Sequence, residues 1–229
     1  MTLPPPPPPY APPAGPLQIL HCDAALIALD KPAGLLSVPG RGPAHADSLA
    51  SRVQAEYPDA RVVHRLDMAT SGILIMARGP AMERRLSIAF QQRNIEKRYL
   101  AVVAGRLEPI RGEVALPLIT DWPNRPRQKV DLDHGKPSLT VFQRLAYDPA
   151  RDLSLVELRP HTGRSHQLRV HLQALGHPIL GDDLYAPPAL RAAAPRLLLH
   201  AAGLVFPHPE SGAVVRLESH APFLADWPS

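Results

Sequence analysis

Apolar residues along this chain follow two periodicities, and the switches between them outline its elements. Runs rich in Val, Ile and Leu, mostly bounded by Pro, Gly or Asp, predict strands over 17–20, 25–30, 72–78, 97–104, 138–147, 153–159, 197–206 and 213–218. A helix is predicted over 48–57, opened by Asp47 or Ser48 as capping residue, and another over 80–93, with Pro80 at its first position. Leu168, Leu172 and Leu175 recur at i, i+4 and i+7 and predict a third helix over 164–175, and a short fourth covers 187–193. Strands and helices do not alternate strictly. The pattern is that of an α+β protein: one domain on a mixed, largely antiparallel sheet flanked by helices and loops.

Nine of the 29 prolines fall within residues 1–16, which are therefore expected as a polyproline-II or disordered tail outside the fold. Residues 17–229 contain no linker, repeat or second compositional zone and are expected to form a single globular unit. Apolar residues make up 45% of the chain, enough to fill a core, yet no apolar run approaches the ~20 residues of a membrane helix. The first residues have neither the basic nor the apolar region of a signal peptide. Cys22 is the one cysteine, which excludes an internal disulfide and any Cys-rich metal site. These features together point to the cytoplasm.

The formal charge is +4, and of 25 basic residues only Lys31, Lys97, Lys129 and Lys136 are lysines. An arginine excess arises from a GC-rich genome, which also inflates Ala and Pro, or from selection for a polyanionic partner, because guanidinium binds phosphate bidentately and stacks on bases. Residues 78–98 hold Arg78, Arg84, Arg85, Arg93, Lys97 and Arg98 against Glu83 and Glu96, an excess equal to that of the whole protein.

Several familiar signatures fail on spacing. Gly135-Lys136 lacks both the earlier Gly and the following Ser or Thr of a phosphate loop. His64-Arg65-Leu66-Asp67 has its Asp one place late for a kinase catalytic loop. His161, His166 and His171 are five apart and point in different directions on a helix, whereas zinc-binding pairs sit four apart. No metal is expected. Two polar constellations remain. The first, 62–72, leads into a strand and carries His64, Arg65 and Asp67. Taken alone it also fits a plain turn in which Asp67 caps local amides. The second, 162–171, starts the third predicted helix and sets His166, Arg169 and Gln173 on one polar face. A polar face is ordinarily solvated, but an arginine there could pair with Asp67 and hold it ionised and oriented.

Taken together, the segments ALDKPAGLLSVPG, RVVHRLDMATSGILIMAR, EKRYLAVVAG, GKPSLT, RPHTGRSHQLRVHLQALGHPILGDDLY and RLLLHA make the chain resemble the RluA family of pseudouridine synthases, over about residues 17–224. HRLD, KRYLAV and GRSHQLR in that order are specific as a set. DWPNRPRQKVDL and LLSVPGR further resemble the short members that act on both large-subunit ribosomal RNA and the tRNA anticodon stem-loop. The resemblance implies the pseudouridine synthase fold, without the accessory N-terminal RNA-binding domain of longer relatives, and an isomerase active on uridines of 23S rRNA and of tRNA stem-loops. A relative restricted to one RNA class is the alternative within the family. The reaction needs no cofactor, and a monomer is expected.

Residue by residue, the resemblance assigns Asp67 as the catalytic carboxylate, acting as nucleophile or as base. Arg169 becomes its basic partner and Tyr99 the aromatic that stacks on the target base. Arg65 matches an arginine that fills the space vacated when that base flips out, and His64 and Arg164 are expected with it in the RNA-binding set. Arg164 and the basic stretch 78–98 are expected on the RNA backbone. The segment 121–129 is too polar for a core and too rich in proline for an idle linker. It is expected to project over the cleft, with Arg125, Arg127 and Lys129 on phosphates and Trp122 anchoring its base. A non-catalytic RNA-binding module would share the charge but would not need Asp67, Tyr99 and Arg169 together. A metal-dependent hydrolase would share the histidines but not their spacing.

Overall fold

The computed structural model describes residues 10–228. Its main sheet contains β1 (Ile19–Cys22), β2 (Leu26–Lys31), β3 (Ala60–Val62), β4 (Ser71–Arg78), β5 (Glu96–Ala104) and β6 (Arg111–Val114). After the separate strands β7 (Leu118–Thr120) and β8 (Gln128–Val130), the main sheet is completed by β9 (Thr140–Asp148), β10 (Leu153–Pro160), β11 (Leu199–Pro207) and β12 (Val214–Glu218). The helices are α1 (Leu49–Glu56), α2 (Gly79–Gln91), α3 (Gln167–Ala174) and α4 (Pro188–Ala192). The main path runs β1-β2-β4-β11-β5-β10-β9-β6, with β3 also on β4 and β12 also on β11. Only β4–β11 is parallel; every other pairing of this sheet is antiparallel. The mixed, largely antiparallel sheet expected from the sequence is present, and all eight expected strands appear within a few residues of their predicted ends.

Four further strands, β3, β6, β7 and β8, were not legible. Each has three or four residues, too few for an alternation to register. β7 and β8 pair only with each other, so the segment expected as a loop is the tip and second strand of a hairpin.

The central strands are covered on both faces, which is why they read as unbroken apolar runs. On one face Leu74 and Met76 of β4 pack with Ala50 and Val53 of α1, and Ala101 and Val103 of β5 pack with Leu168 and Leu172 of α3. On the other, Ile73, Ile75 and Ala77 meet Leu86 of α2, while Leu100 and Val102 meet Phe223. Tyr99 joins the α1 and α3 clusters and so marks the middle of the first face.

Local signals explain the helix ends. Ser48 rather than Asp47 caps α1: Ser51 N donates to Ser48 Oγ (3.1 Å) and Ser48 N to Ser51 Oγ (2.9 Å), while Asp47 takes Arg52 in an ion pair. Helix α3 begins three residues later than expected because His166 takes a left-handed conformation, φ 55°. Residues 10–16 form no helix or strand, yet they do not lie outside the fold as expected. Tyr10 Oη donates to Asp47 O (3.0 Å) and accepts from Leu36 N (3.0 Å), and Arg52 Nη2 donates to Pro13 O (2.9 Å). The rest of the proline run, 1–9, lies outside the described residues.

Gly72 allows the one parallel contact of the main sheet. Its φ is +109°, and a Cβ there would sit 2.6 Å from Ala201 N, across the β4–β11 pairing. Gly72→Ala is expected to destabilise the fold by about 3 kcal/mol through strain and collision. At this chain length that lowers the melting temperature by roughly 6–12 °C, which differential scanning calorimetry measures directly.

Candidate active site

The loop 63–70 crosses from β3 to β4 and is braced on both sides of Asp67. Before it, Ser37 Oγ donates to Leu66 O (2.6 Å) and accepts from Leu66 N (3.1 Å). After it, Met68 O accepts from Lys31 Nζ (3.0 Å) and from Gly34 N (2.8 Å). Lys31 is fully buried at the end of β2 and also donates to Pro32 O (2.9 Å) and Leu35 O (2.7 Å), so three carbonyls satisfy one ammonium. Burial pushes its pKa down to about 7, against the attraction of the Asp67 carboxylate. Backbone ties therefore fix the loop while the Asp67 side chain, 29% exposed, is left pointing to a partly open site.

Arg169 stands opposite, on α3. Its Nη1 is 3.7 Å from Asp67 Oδ2, an ionic contact longer than a hydrogen bond. The fork of the guanidinium is taken by another acid: Nε and Nη2 donate to Asp182 Oδ2 (2.8 Å) and Oδ1 (2.6 Å), and Nη2 also reaches Asp183 Oδ1 at 3.0 Å. Burial opposes the charge, but Asp182, with Asp67 and Asp183 behind it, holds the Arg169 pKa above the usual arginine value. Arg169 is only 3% exposed, so the alternative of an ordinary solvated polar face does not hold for it. His166 precedes the helix and Gln173 faces solvent.

Tyr99 enters from β5. Burial, and next the Asp67 carboxylate, raise its phenol well above the ordinary tyrosine value, and the ring packs against both the α1 and the α3 clusters. The three residues expected to carry chemistry thus converge from a loop, a strand and a helix on one face of the sheet.

The expected RNA contacts divide. Arg65 is exposed beside Asp67, and Arg164 is exposed, with Nε on Pro137 O (3.2 Å). His64 is turned inward. Its Nε2 accepts Ile75 N–H (2.9 Å), and its ring packs on Phe90 of α2 at 4.5 Å, so its task is to pin the loop to β4 rather than to meet RNA. The stretch 78–98 is partly spent on protein. Arg78 pairs with Asp59, Arg85 donates to Pro209 O, and Arg98 donates to Ala202 O. Arg125 and Lys129 of the hairpin are exposed and Arg127 is half-buried. Trp122 does not anchor the hairpin's base; it is 64% exposed at the tip, with the Arg125 guanidinium 4.0 Å from its ring.

Sequence reasoning missed Asp182, Lys31 and Ser37 as supports of the site. Asp182 and Asp183 follow Gly181 in GDDLY, and an acid pair after a glycine was the available signal. Nothing local marks Lys31 or Ser37 as supports of the Asp67 loop, since the loop residues they hold, Met68 and Leu66, lie 37 and 29 residues away.

Residues 25–174 match the profile of the RNA pseudouridylate synthase family, which is well over half of the chain. The chain belongs to that family. It is 52% identical over 215 residues to the dual-specificity RNA pseudouridine synthase RluA of Escherichia coli K12, covering 93% of this chain and 98% of that protein. Identity to the protein of the same description from Pasteurella multocida is 51% over 201 residues, covering 87% and 91%. Among solved structures, human RNA pseudouridylate synthase domain containing 1 superposes with a TM-score of 0.78 at 30% identity, covering 95% of this chain and 89% of that one. Human RNA pseudouridylate synthase domain containing 4 gives 0.73 at 26%, covering 90% and 88%. The protein is an RNA pseudouridine synthase, an isomerase with RNA as its substrate.

The position of His64 has a measurable consequence. Burial lowers its pKa to about 3, and its accepting nitrogen must stay unprotonated to hold Ile75 N–H. In the unfolded chain the value is ~6.5. Between these values the unfolded state binds the extra proton, so the contribution of His64 is complete above pH 6.5 and is lost as pH falls towards 3. His64→Gln, which retains an acceptor but does not titrate, is expected to flatten the acid slope of unfolding free energy between pH 4 and 6 by up to about 1.4 kcal/mol per unit. Urea titrations at stepped pH check it.

Proposed function

We propose that the enzyme isomerises uridines held in stem-loops of 23S rRNA and of the tRNA anticodon arm, with Asp67 as catalytic carboxylate. The single observation that carries this reading is the placement of Asp67: braced through the backbone on either side, close enough to Tyr99 for its charge to act on the phenol, and 3.7 Å from a buried arginine. Pseudouridine formation breaks the bond between ribose and nitrogen 1 of the base, turns the base, and rejoins it through carbon 5. Two uses of a carboxylate open that bond, attack on the ribose and removal of a ribose proton, and both need an ionised, aimed group. Arg169 supplies the field that favours the ionised form. Tyr99 offers its ring as a stacking surface for the base.

A uridine in a folded stem-loop has to leave its stack to reach Asp67, at a cost of a few kcal/mol. Arg65, exposed two residues before Asp67, is placed to fill the gap it leaves. Arg164, Arg125, Arg127 and Lys129 supply cations around the cleft for phosphates, which set register rather than sequence. All of these groups lie within residues 17–229, which supports that span as the catalytic domain, and a monomer is the proposed working unit. No described helix is long and apolar enough to cross a membrane. With an RNA substrate, that supports a cytoplasmic site of action. The two RNA classes rest on the dual-specificity relatives and on the 121–132 and 35–41 segments. Carbodiimide-dependent reverse-transcription stops in total RNA, with and without the gene, are expected to lose a site in each class; loss in one class alone restricts the enzyme to it.

Asp67→Asn keeps the shape of the side chain and removes its charge, so product formation is expected to vanish while RNA affinity changes little. Turnover within about tenfold of wild type, a barrier change of only ~1.4 kcal/mol, would remove Asp67 from this role. Replacing Arg125, Arg127 and Lys129 together with Ala releases fewer counterions on binding. The log–log salt dependence of RNA affinity is then expected to flatten by about two units, as filter binding across a potassium chloride series measures.

A further inference from the structure

Tyr185 has no part in the reading above, yet it touches the hairpin, the start of α3 and Arg169. The residue is 4% exposed and packs with Leu118 of β7 and Val170 of α3. Its hydroxyl accepts the N–H of Gln128, the first residue of β8, at 2.7 Å, and lies 2.7 Å from His166 Nδ1. Its own backbone N–H donates to Asp182 Oδ1 (3.0 Å), the carboxylate that grips Arg169. Two guanidinium groups meet its ring, Arg127 of the hairpin at 5.4 Å from the centroid and Arg169 at 5.0 Å. Hairpin, helix start and the cation beside Asp67 therefore share one rigid aromatic side chain.

We propose that Tyr185 is a positioning residue that couples the seating of the β7–β8 hairpin on RNA to the orientation of Arg169 beside Asp67. The proposal rests on the roles given above to Asp67 and Arg169. The hydrogen-bond order gives the coupling a direction. Gln128 N–H can only donate, so the hydroxyl hydrogen is left for His166 Nδ1, and burial keeps that imidazole towards its neutral, accepting form. A shift of β8 under the pull of phosphates on Arg127 and Lys129 moves the donor of this chain. The tyrosine follows, because a buried donor and acceptor part only at a cost. At the ring, a phosphate that draws Arg127 away leaves the π face to Arg169 alone. RNA held at the hairpin and RNA held at Asp67 are thus read by the same side chain.

Tyr185→Phe tests this, since it keeps the ring and both cation contacts and removes only the hydroxyl. The assay is tritium release from a [5-³H]uridine-labelled tRNA transcript under single-turnover conditions with enzyme in excess, alongside filter binding for affinity. Tyr185→Phe is expected to slow the rate constant about tenfold with full amplitude, while the dissociation constant stays within about twofold. Arg127→Ala is expected to weaken binding and also slow the step, and to slow it no further, within about twofold, when added to Tyr185→Phe. Rate effects that multiply in the double variant overturn the proposal. So does a Tyr185→Phe enzyme with reduced amplitude and an unchanged rate constant, the mark of a merely structural defect. An effect on affinity alone also overturns it. Asp67→Asn on the same transcript separates the two levels: if it still turns over, the underlying reading falls and the coupling with it; if it is inactive and the cycle is additive, the coupling alone falls.

Discussion

A guanidinium shut away from water has to be matched by an anion shaped to its fork, and Arg169 imposes that requirement on everything around Asp67. An unpaired charge in that position costs several kcal/mol. Asp182 supplies the match from a fully buried position, with both oxygens on the fork and one of them also taking the amides of Leu184 and Tyr185. With its charge balanced there, Arg169 acts on Asp67 through its field rather than by locking it in a short hydrogen bond. Two acids face one arginine with different tasks. One is buried and immobile; the other is partly exposed and, in the proposed mechanism, free to reach a substrate. The burial of each fixes which is which.

That division depends on bringing a loop, a strand and a helix from distant parts of the chain to one face. The β4–β11 pairing does this, by seating the end of the 63–70 loop against a strand that is also paired with β5. Tyr99 sits opposite Ala201 in the β5–β11 register, and Gly72 opposite the same Ala201 across β4–β11. One alanine therefore separates the aromatic residue from the strand that follows the Asp67 loop. A bulkier residue at 201 or at 72 would push the two apart. The smallness of both is a requirement of the site, not of the sheet alone.

Much of this was legible in the sequence. Most of the expected strands carry their signal within themselves, as runs of six or more residues rich in Val, Ile and Leu and mostly bounded by Gly, Pro or Asp, and Ser48 carries its own partner three residues on. The three residues expected to do the chemistry sit in long, specific motifs, and the fold does bring them together. What was not legible depends on contacts made across the chain. Lys31 looks like any lysine after a strand until Met68 arrives 37 residues later to share it. His64 looks like a polar loop residue until Ile75 N–H and Phe90 claim its two sides. Arg169 looks solvated on a helical wheel because the wheel contains no Asp182. Helical periodicity describes one element's faces; it says nothing of which face a second element covers.

The same limit governs the charge. Counted along the chain, the cations concentrate at 78–98, and that density suggests a path for RNA. In space several of them are tied to Asp59, Pro209 and Ala202. The cations proposed to meet RNA are fewer and come from three separate segments: Arg65, Arg164 and the hairpin. Of these, Arg125 and Arg127 each lie against an aromatic ring, Trp122 and Tyr185. An arginine on a ring gives up part of its hydration and keeps its charge, so it meets a phosphate with less water to shed and in a more restricted orientation than a free lysine. On the proposed reading, where RNA is held is therefore decided less by how many positive charges the chain carries than by which of them have been set in place beforehand.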